Sequence, residues 1–425
     1  MALRVVDPLL ERAVRLPPSS GRDRTGPVAL VRRSHPIGNT AFVATYAPNR
    51  CGIATFTQDL SAAVGGREIV ALHPEGAPTD YPSEVRHLIR RDVPTDYAAI
   101  ARQVSNGPAS VVSIQHEYGI WGGPDGEWVL DFVRALRTPA VATLHTVLRS
   151  PTTRQRRILA TLVDATAATV VMSQSAAMLL TRVYGVDPTR LEVIAHGVPD
   201  LPLVAPDSVK PDLGLEGRTV ILSFGLLGPG KGYEAAIAAM PAVVRAVPDA
   251  LYVILGATHP DLIRREGEAY RTMLATTAAS LGVSDSVRFV DRFVGLRELG
   301  TWLQAADIFV TPYPNLEQIV SGTLSYAMGA GKAIVSTPYA YAVERLARGR
   351  GKLAAPASTQ ALADALTEFA LDPGLRAAYG RRAWDYSRDM VWPEVGAAYR
   401  QVFARASRPM VPVLAPVTTL ATIRG

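Results

Sequence analysis

Lys231 stands in a glycine-rich segment, GPGKG (228–232), between an apolar strand-like run and a helical pattern. Gly230 and the neighbouring glycines allow a tight turn and let a ligand approach the main chain. The following helix would direct free N–H groups and the positive end of its dipole at the turn, and the lysine adds a full charge. The segment therefore predicts a site for a phosphate or diphosphate; a merely solvated lysine is the alternative. Its spacing matches neither a P-loop nor G-x-G-x-x-G, which disfavours nucleotide hydrolysis and a nicotinamide-binding fold.

A second anion site is predicted about 90 residues further on, after the strand-like run ADIFVTPY. Residues 318–323 read as a loop and residues 323–329 as a helix. Ser321, Gly322 and Thr323 would then present hydroxyls and backbone amides to an anionic group. Two helix N-termini that meet at one cleft would suit a diphosphate. The alternative is ordinary capping of a buried helix.

The N-terminal half offers polar residues at the predicted ends of three strands. Arg50 and Gly52 follow the first strand, and the glycine permits close approach of a ligand. His116, Glu117 and His145 end two further strands, where a histidine can bind a sugar hydroxyl or carry a proton near neutral pH. Purely structural histidines are the alternative. The residues lack metal-ligand spacing on one element, so no metal centre is predicted.

Aromatic residues follow the second of these strands in HEYGIWGGPDGEW (116–128). Tyr118, Trp121 and Trp128 are candidate platforms on which an acceptor sugar would stack. Packing of the same rings in the core is an equal alternative.

The elements that must position these residues alternate along the chain. Short apolar runs alternate with amphipathic helical patterns from residue 40 onward, which predicts parallel sheets covered by helices on both faces. Periodicity disappears and prolines accumulate over residues 199–217, which indicates a linker about which the domains would close on their substrates. Two doubly wound α/β domains in tandem are therefore predicted. Their ligand would lie in a cleft at the carboxyl ends of the strands.

Composition limits the classes of function. The 425 residues carry a formal charge of +6 and contain a single cysteine, so an internal disulfide framework is excluded and a reducing cytoplasm fits. No signal peptide and no apolar run long enough to span a bilayer is recognised. The first 20 residues either form a loosely ordered extension or a basic helix with weak contact to a membrane surface. The arginines are scattered, which disfavours nucleic-acid binding.

The order of the motifs along the chain resembles glycosyltransferase family 4, from about Thr40 to Ser407. The segments that carry the resemblance are RCGIATFTQDL, QHEYGIWGG, TLHT, AHGVPD, SFGLLGPGKG, ILGATHP, ADIFVTPYPNLEQIVSGTLSYAMGAGKAIVSTPY and WPEVGAAYRQVF. The resemblance implies the GT-B fold, two Rossmann-like domains that face a cleft, with a C-terminal helix that crosses back. It also implies retaining transfer of a sugar from a nucleotide diphosphate sugar, with neither a metal nor another cofactor.

The resemblance also implies a domain organisation. The expected parts are an N-terminal extension (1–38), an acceptor domain (39–200), a linker (201–217), a nucleotide-sugar domain (218–388), the crossing helix (389–407) and a tail (408–425).

Single residues carry over by position. Lys231 resembles the family's diphosphate-binding lysine, Gly52 its phosphate-loop glycine, and His145 the histidine beside the donor sugar, while His116 would line the acceptor side. Independently of the family pattern, Glu117, Tyr118 and Trp121 are expected to contact the acceptor from the same loop.

Three positions depart from the family pattern. Leu226 stands where an arginine is usual, and the usual E-x7-E pair aligns with Gln318 and Tyr326, which are expected to contact the donor in its place. Glu317, one residue before the first of these, is the expected substitute. Arg292 or Arg50 is expected to supply the missing positive charge.

The expected activity is transfer of a hexose to a carbohydrate acceptor in the cytoplasm, with GDP-mannose favoured as donor over a UDP-sugar because similar loops are associated with mannoside metabolism. Two alternatives follow from the departures. One is a GT-B phosphorylase or epimerase without the normal nucleotide contact, and the other is a degenerate carbohydrate-binding protein. The acceptor and the oligomeric state are not predicted.

Overall fold

A computed structural model describes residues 39–66 and 68–408 of the chain. The expectations for the first 38 residues and for residues 409–425 lie outside this part. The described residues contain two parallel β-sheets with helices between consecutive strands, so the prediction of two doubly wound α/β units is confirmed.

The first sheet has seven strands in the order β3-β2-β1-β4-β5-β6-β7. Its strands are β1 (Thr40–Ala44), β2 (Glu68–His73), β3 (Val85–Arg90), β4 (Val111–His116), β5 (Ala140–Leu144), β6 (Ala168–Val171) and β7 (Leu191–Val193). The second sheet has six strands in the order β10-β9-β8-β11-β12-β13. Its strands are β8 (Thr219–Phe224), β9 (Ala250–Leu255), β10 (Val287–Val290), β11 (Ile308–Thr311), β12 (Ala333–Ser336) and β13 (Lys352–Leu353). All pairings are parallel, and in both sheets the order reverses beside the first strand, where such sheets bind ligands.

Helices cover both sheets. Those of the first half are α1 (Gly52–Val64), α2 (Pro94–Ser105), α3 (Val129–Ala135), α4 (Thr153–Ala165) and α5 (Gln174–Leu179). Those of the second half are α6 (Tyr233–Ala246), α7 (Pro260–Glu266), α8 (Ala269–Ser280), α9 (Leu296–Ala305), α10 (Gly322–Gly329), α11 (Ala340–Leu346), α12 (Thr359–Leu371), α13 (Pro373–Tyr386) and α14 (Trp392–Ala406). Because both faces are covered, central strands such as β9 (ALYVIL) are buried at every residue.

The chain crosses between the sheets at two places that lie side by side. Val198 forms a parallel bridge with Val391, and α14 then packs against α1 of the first sheet. Gly396 permits this close contact, since a Cβ there would lie 2.6 Å from the carbonyl oxygen of Ala63. The first sheet therefore receives its last helix from the C-terminal end of the described chain.

The segment predicted as a linker is partly fixed to the second sheet. It forms short 3-10 turns at Pro206–Ser208 and Lys210–Leu213. The Lys210 side chain is buried, and its Nζ lies 2.9 Å from Oδ2 of Asp307, which stands immediately before β11. This ion pair holds the middle of the segment on the second sheet, and closure of the domains about residues 199–217 stays a prediction. Within the described ranges no helix is both long and apolar enough to cross a membrane.

Candidate active site

The glycine-rich turn places Lys231 beyond the carboxyl end of β8. Gly232 is the N-cap of α6 and has φ of 72°, and a Cβ there would lie 1.9 Å from the carbonyl oxygen of Pro312, so only glycine fits. The ammonium group lies 4.8 Å from the ring centroid of Tyr313. It forms neither an ion pair nor a hydrogen bond with any residue in the described part of the chain. Lys231 therefore presents an uncompensated positive charge.

The start of α10 lies beside this lysine. Ser321 caps the helix, with its Oγ accepting from the N–H of Leu324 at 3.3 Å. The same Oγ is 3.1 Å from Oγ1 of Thr323, which in turn is 2.8 Å from the hydroxyl of Tyr313. Tyr313 thus joins Lys231 to the helix start, where the N–H groups of Gly322 and Thr323 have no acceptor within the helix. The structure brings together the two predicted anion sites.

Two histidines stand at the carboxyl edge of the first sheet. Nε2 of His145 is 3.0 Å from Oε1 of Gln115, and the amide nitrogen of Gln115 donates to Ser113, so His145 donates from Nε2. His116 is fully buried, and neither of its ring nitrogens has a partner in the described part of the chain. Burial lowers the pKa of each histidine to about 3. Both are neutral at pH 7, which favours binding of hydroxyl groups over proton transfer.

The loop after β4 is held by packing and hydrogen bonds. Glu117 accepts a hydrogen bond from the hydroxyl of Thr146 and another from the N–H of Tyr118 at 3.0 Å, and burial raises its pKa. Trp121 is 3% exposed and donates its indole N–H to the carbonyl of Gln115 at 3.0 Å. The interpretation of Trp121 as a sugar-stacking platform is therefore wrong, because its ring belongs to the core. Glu117 joins the ends of β4 and β5, and Tyr118 packs edge-on against a buried histidine.

The turn after β1 faces the loop after β10. Gly52 begins α1, and a Cβ there would meet no atom within 4 Å. Arg50 lies with its guanidinium 5.7 Å from the ring centroid of Phe293, a contact that joins the two halves of the molecule. Arg292 instead forms an exposed ion pair with Glu298. The expectation that Arg292 supplies a free positive charge is contradicted, because a carboxylate already neutralises it.

The residues at the E-x7-E positions both form hydrogen bonds within the protein. Tyr326 is 6% exposed, and its hydroxyl donates to Oδ2 of Asp59 on α1 at 3.0 Å. Gln318 donates to the carbonyl of Val320 at 2.9 Å. The predicted contact of Tyr326 with the donor is therefore wrong, because its ring and hydroxyl are both engaged inside the protein. Glu317 is exposed.

Three residues beside the site were not predicted from the sequence. The Phe56 ring on α1 lies edge-on between two imidazoles, with centroids 4.9 Å from His145 and 5.1 Å from His196. Tyr313 contacts Lys231. His196 follows β7 and Tyr313 follows β11, so the strand-end rule that selected His145 could have found both. Phe56 carries no comparable signal. Among the residues described, no group of three or more His, Cys, Asp or Glu side chains could hold a metal ion.

Two doubly wound parallel sheets, with the glycine-rich turn of Lys231 at the carboxyl edge of one and neutral histidines at that of the other, define a GT-B protein. The chain belongs to glycosyltransferase family 4. The model described as "Glycosyltransferase Family 4" matches residues 52–200, and the model described as "Glycosyl transferases group 1" matches residues 218–372. The resemblance inferred from the motifs is thereby confirmed.

Two relatives illustrate the similarity. One is "D-inositol 3-phosphate glycosyltransferase 2" of Catenulispora acidiphila, 26% identical over 253 residues that cover 57% of each chain. The other is "Phosphatidyl-myo-inositol mannosyltransferase" of Mycolicibacterium smegmatis, 28% identical over 45% of this chain and 46% of the relative. The chain thus spans about half the length of the curated relatives it matches.

Solved structures share the fold. The Anabaena protein Alr3699/HepE, crystallised with UDP, superposes with a TM-score of 0.70 over 86% of this chain and 100% of that chain, at 16% identity. Sucrose-phosphate synthase from Thermosynechococcus elongatus gives the same score, coverage and identity. At this identity the similarity concerns the fold alone.

Proposed function

We propose that this protein is a glycosyltransferase that moves a hexose from a nucleotide diphosphate sugar to a hydroxyl group of a carbohydrate acceptor. The observation that carries the proposal is the unpaired ammonium of Lys231 beside the start of α10. A diphosphate is the ligand whose charge this arrangement would match. The family membership and the "glycosyltransferase" names of the relatives support the same activity.

The reaction requires stabilisation of the leaving group. The bond between the sugar C1 and the diphosphate oxygen breaks, and its electron pair stays on that oxygen. The acceptor oxygen forms the new bond at C1 on the same face, and its proton passes to a phosphate oxygen. Lys231 and the N–H groups at the start of α10 would stabilise the growing negative charge. The depressed pKa values of His116 and His145 favour a mechanism without a histidine base.

The donor proposed is GDP-mannose, with a UDP-sugar as the second choice. The relative named a mannosyltransferase supports the first, and the structural neighbour crystallised with UDP-glucose supports the second. Relatives named for inositol phosphate and phosphatidylinositol support an acceptor that is a polyol. The absence of carboxylates at Gln318 and Tyr326 favours a phosphorylase as the alternative function.

A thermal-shift titration without added metal tests the proposal. Ligands would be GDP, UDP, ADP and dTDP, their common sugar conjugates, and inorganic phosphate. A ligand present at 100 times its Kd should stabilise the folded state by about 2.7 kcal/mol. Stabilisation by a nucleoside diphosphate, reduced in Lys231→Ala, is the expected result. The matched control is Arg245→Ala, which removes an exposed charge at the other end of α6, about 20 Å from the site. Stabilisation by phosphate alone would favour the phosphorylase.

A further inference from the structure

His196 lies three residues beyond the end of β7, between the two sheets. It is 9% exposed, and its Nδ1 is 2.7 Å from the carbonyl oxygen of Gly197. A carbonyl oxygen only accepts hydrogen bonds, so Nδ1 carries the proton of this contact. Burial lowers the pKa of the ring to about 4, and the neutral imidazole therefore holds a lone pair on Nε2.

The free lone pair faces the start of α10. A Cβ built on Gly322, the first residue of that helix, would lie 2.8 Å from Nε2 of His196. Nε2 forms no hydrogen bond with any residue that the structure describes. Phe56 and Tyr326 enclose the ring, with centroids at 5.1 and 6.0 Å. One unpaired acceptor on a side chain more than nine-tenths buried thus points at the proposed anion site.

The chemistry of this acceptor selects its partner. An ionised phosphate oxygen has no proton to donate, so it cannot pair with a lone pair on nitrogen. A hydroxyl next to the phosphates can, and a nucleotide sugar carries hydroxyls on its ribose and on its hexose. We propose that His196 binds a donor hydroxyl through Nε2, an inference that rests on the proposed function. It supplies an acceptor beside the start of α10, where the hydroxyl of Tyr326 is instead directed toward Asp59 on α1.

Binding measurements with paired ligands and variants test the proposal without relying on turnover. Calorimetry would compare each nucleoside diphosphate with its 2′-deoxy and 3′-deoxy forms, and the nucleotide sugar with its deoxyhexose forms. The wild type should bind one of the deoxy ligands about 3- to 10-fold more weakly, the effect of one neutral hydrogen bond. A loss in the ribose series or in the hexose series identifies which hydroxyl is bound.

The variant His196→Phe keeps a ring of similar size without the lone pair. It should bind the hydroxylated ligand 3- to 10-fold more weakly and the matching deoxy ligand as the wild type does. Gly322→Ala should act in the same way, because its Cβ would displace the end of the imidazole. The matched control is His87→Phe on the edge strand β3, which should leave both affinities unchanged.

Three outcomes would overturn the proposal. The first is equal weakening of hydroxylated and deoxy ligands in His196→Phe, which would assign the ring a packing role. The second is that the wild type binds every deoxy ligand as tightly as the corresponding hydroxylated ligand. This result does not depend on whether any variant folds. The third is a wild type that binds no nucleotide at all, which would also overturn the proposed function, whereas the first two leave that function intact.

Discussion

Replacing Lys231 by alanine should abolish most activity while leaving the fold almost as stable as before. The ammonium group contacts only the ring of Tyr313, at 4.8 Å, within the part of the chain that is described. A partly exposed cation–π contact contributes about 0.5–1 kcal/mol. The glycines that shape the turn are retained. The free energy of unfolding should therefore fall by no more than about 1 kcal/mol.

The expected loss of activity is much larger than this. When the sugar–phosphate bond breaks, negative charge grows on the diphosphate, and Arg292 does not replace the lysine there, since it is bound to Glu298. Loss of one such stabilising group typically costs about 3–4 kcal/mol, or roughly 10²- to 10³-fold in kcat. The loss in kcat would be measured from the release of nucleoside diphosphate, with the donor that the thermal-shift screen identifies. Urea unfolding would measure the free energy of unfolding. Arg245→Ala should change neither.

Two results would refute this reasoning. Turnover of Lys231→Ala within about 3-fold of the wild type would mean that the lysine is an ordinary solvated side chain. A loss of stability of about 3 kcal/mol or more would mean that it supports the turn and that reduced turnover says nothing about chemistry.

Two further predictions concern the contacts around α10. Asp59→Ala and Tyr326→Phe should each lower the free energy of unfolding by about 1–3 kcal/mol, because the first leaves the buried hydroxyl of Tyr326 unsatisfied and the second leaves the half-buried carboxylate of Asp59 unsatisfied. In urea unfolding, the double variant should lose less free energy of unfolding than the sum of the losses in the two single variants. Strictly additive losses would show that the two side chains do not interact. Burial lowers the pKa of His196 to about 4, below an unfolded value of about 6.5, so its contribution to stability is lost as the pH falls from about 6.5 to 4, by about 1.4 kcal/mol per unit. His196→Phe should gain stability relative to the wild type by this slope over the same range, and a difference independent of pH would contradict the assignment.

Much of the fold could be predicted because its determinants are local. Strands buried on both faces are continuous apolar runs, and the amphipathic segments between them are helices, so the alternation along the chain indicates parallel sheets. The turn at Lys231 was also predictable from the local sequence. Gly232 must adopt a positive φ and pass close to Pro312, and only glycine permits both. The ion pair that fixes the segment at Lys210 was not predictable, because its partner Asp307 lies 97 positions further along the chain.

The contacts of the candidate site were less predictable, because they depend on which side chains meet across the fold. Tyr326 stands at a position where the family pattern has a carboxylate, yet its hydroxyl meets Asp59, a residue 267 positions away. Arg292 has its partner only six positions away, but the geometry of the loop between β10 and α9 decides whether the two meet. Trp121 belongs to the core because its indole reaches the carbonyl of Gln115. In each case the residue type would permit contact with a ligand, but its polar group is already bonded to another residue of the protein.

The division between predictable and unpredictable residues follows the chemistry of the ligand. A phosphate is bound by backbone N–H groups and one positive charge, so a glycine pattern, a helix start and a lysine are enough to locate its site. A hydroxyl is bound by an oriented donor or acceptor, and for a histidine the partner of one ring nitrogen decides which role the other can play. His145 donates to Gln115 from Nε2, whereas His196 donates to the carbonyl of Gly197 from Nδ1. The two imidazoles flank Phe56 with lone pairs on different nitrogens. The glycine pattern around Lys231 therefore indicates where a diphosphate would bind, whereas the tautomer of each histidine decides whether its free nitrogen can take a hydroxyl as donor or as acceptor.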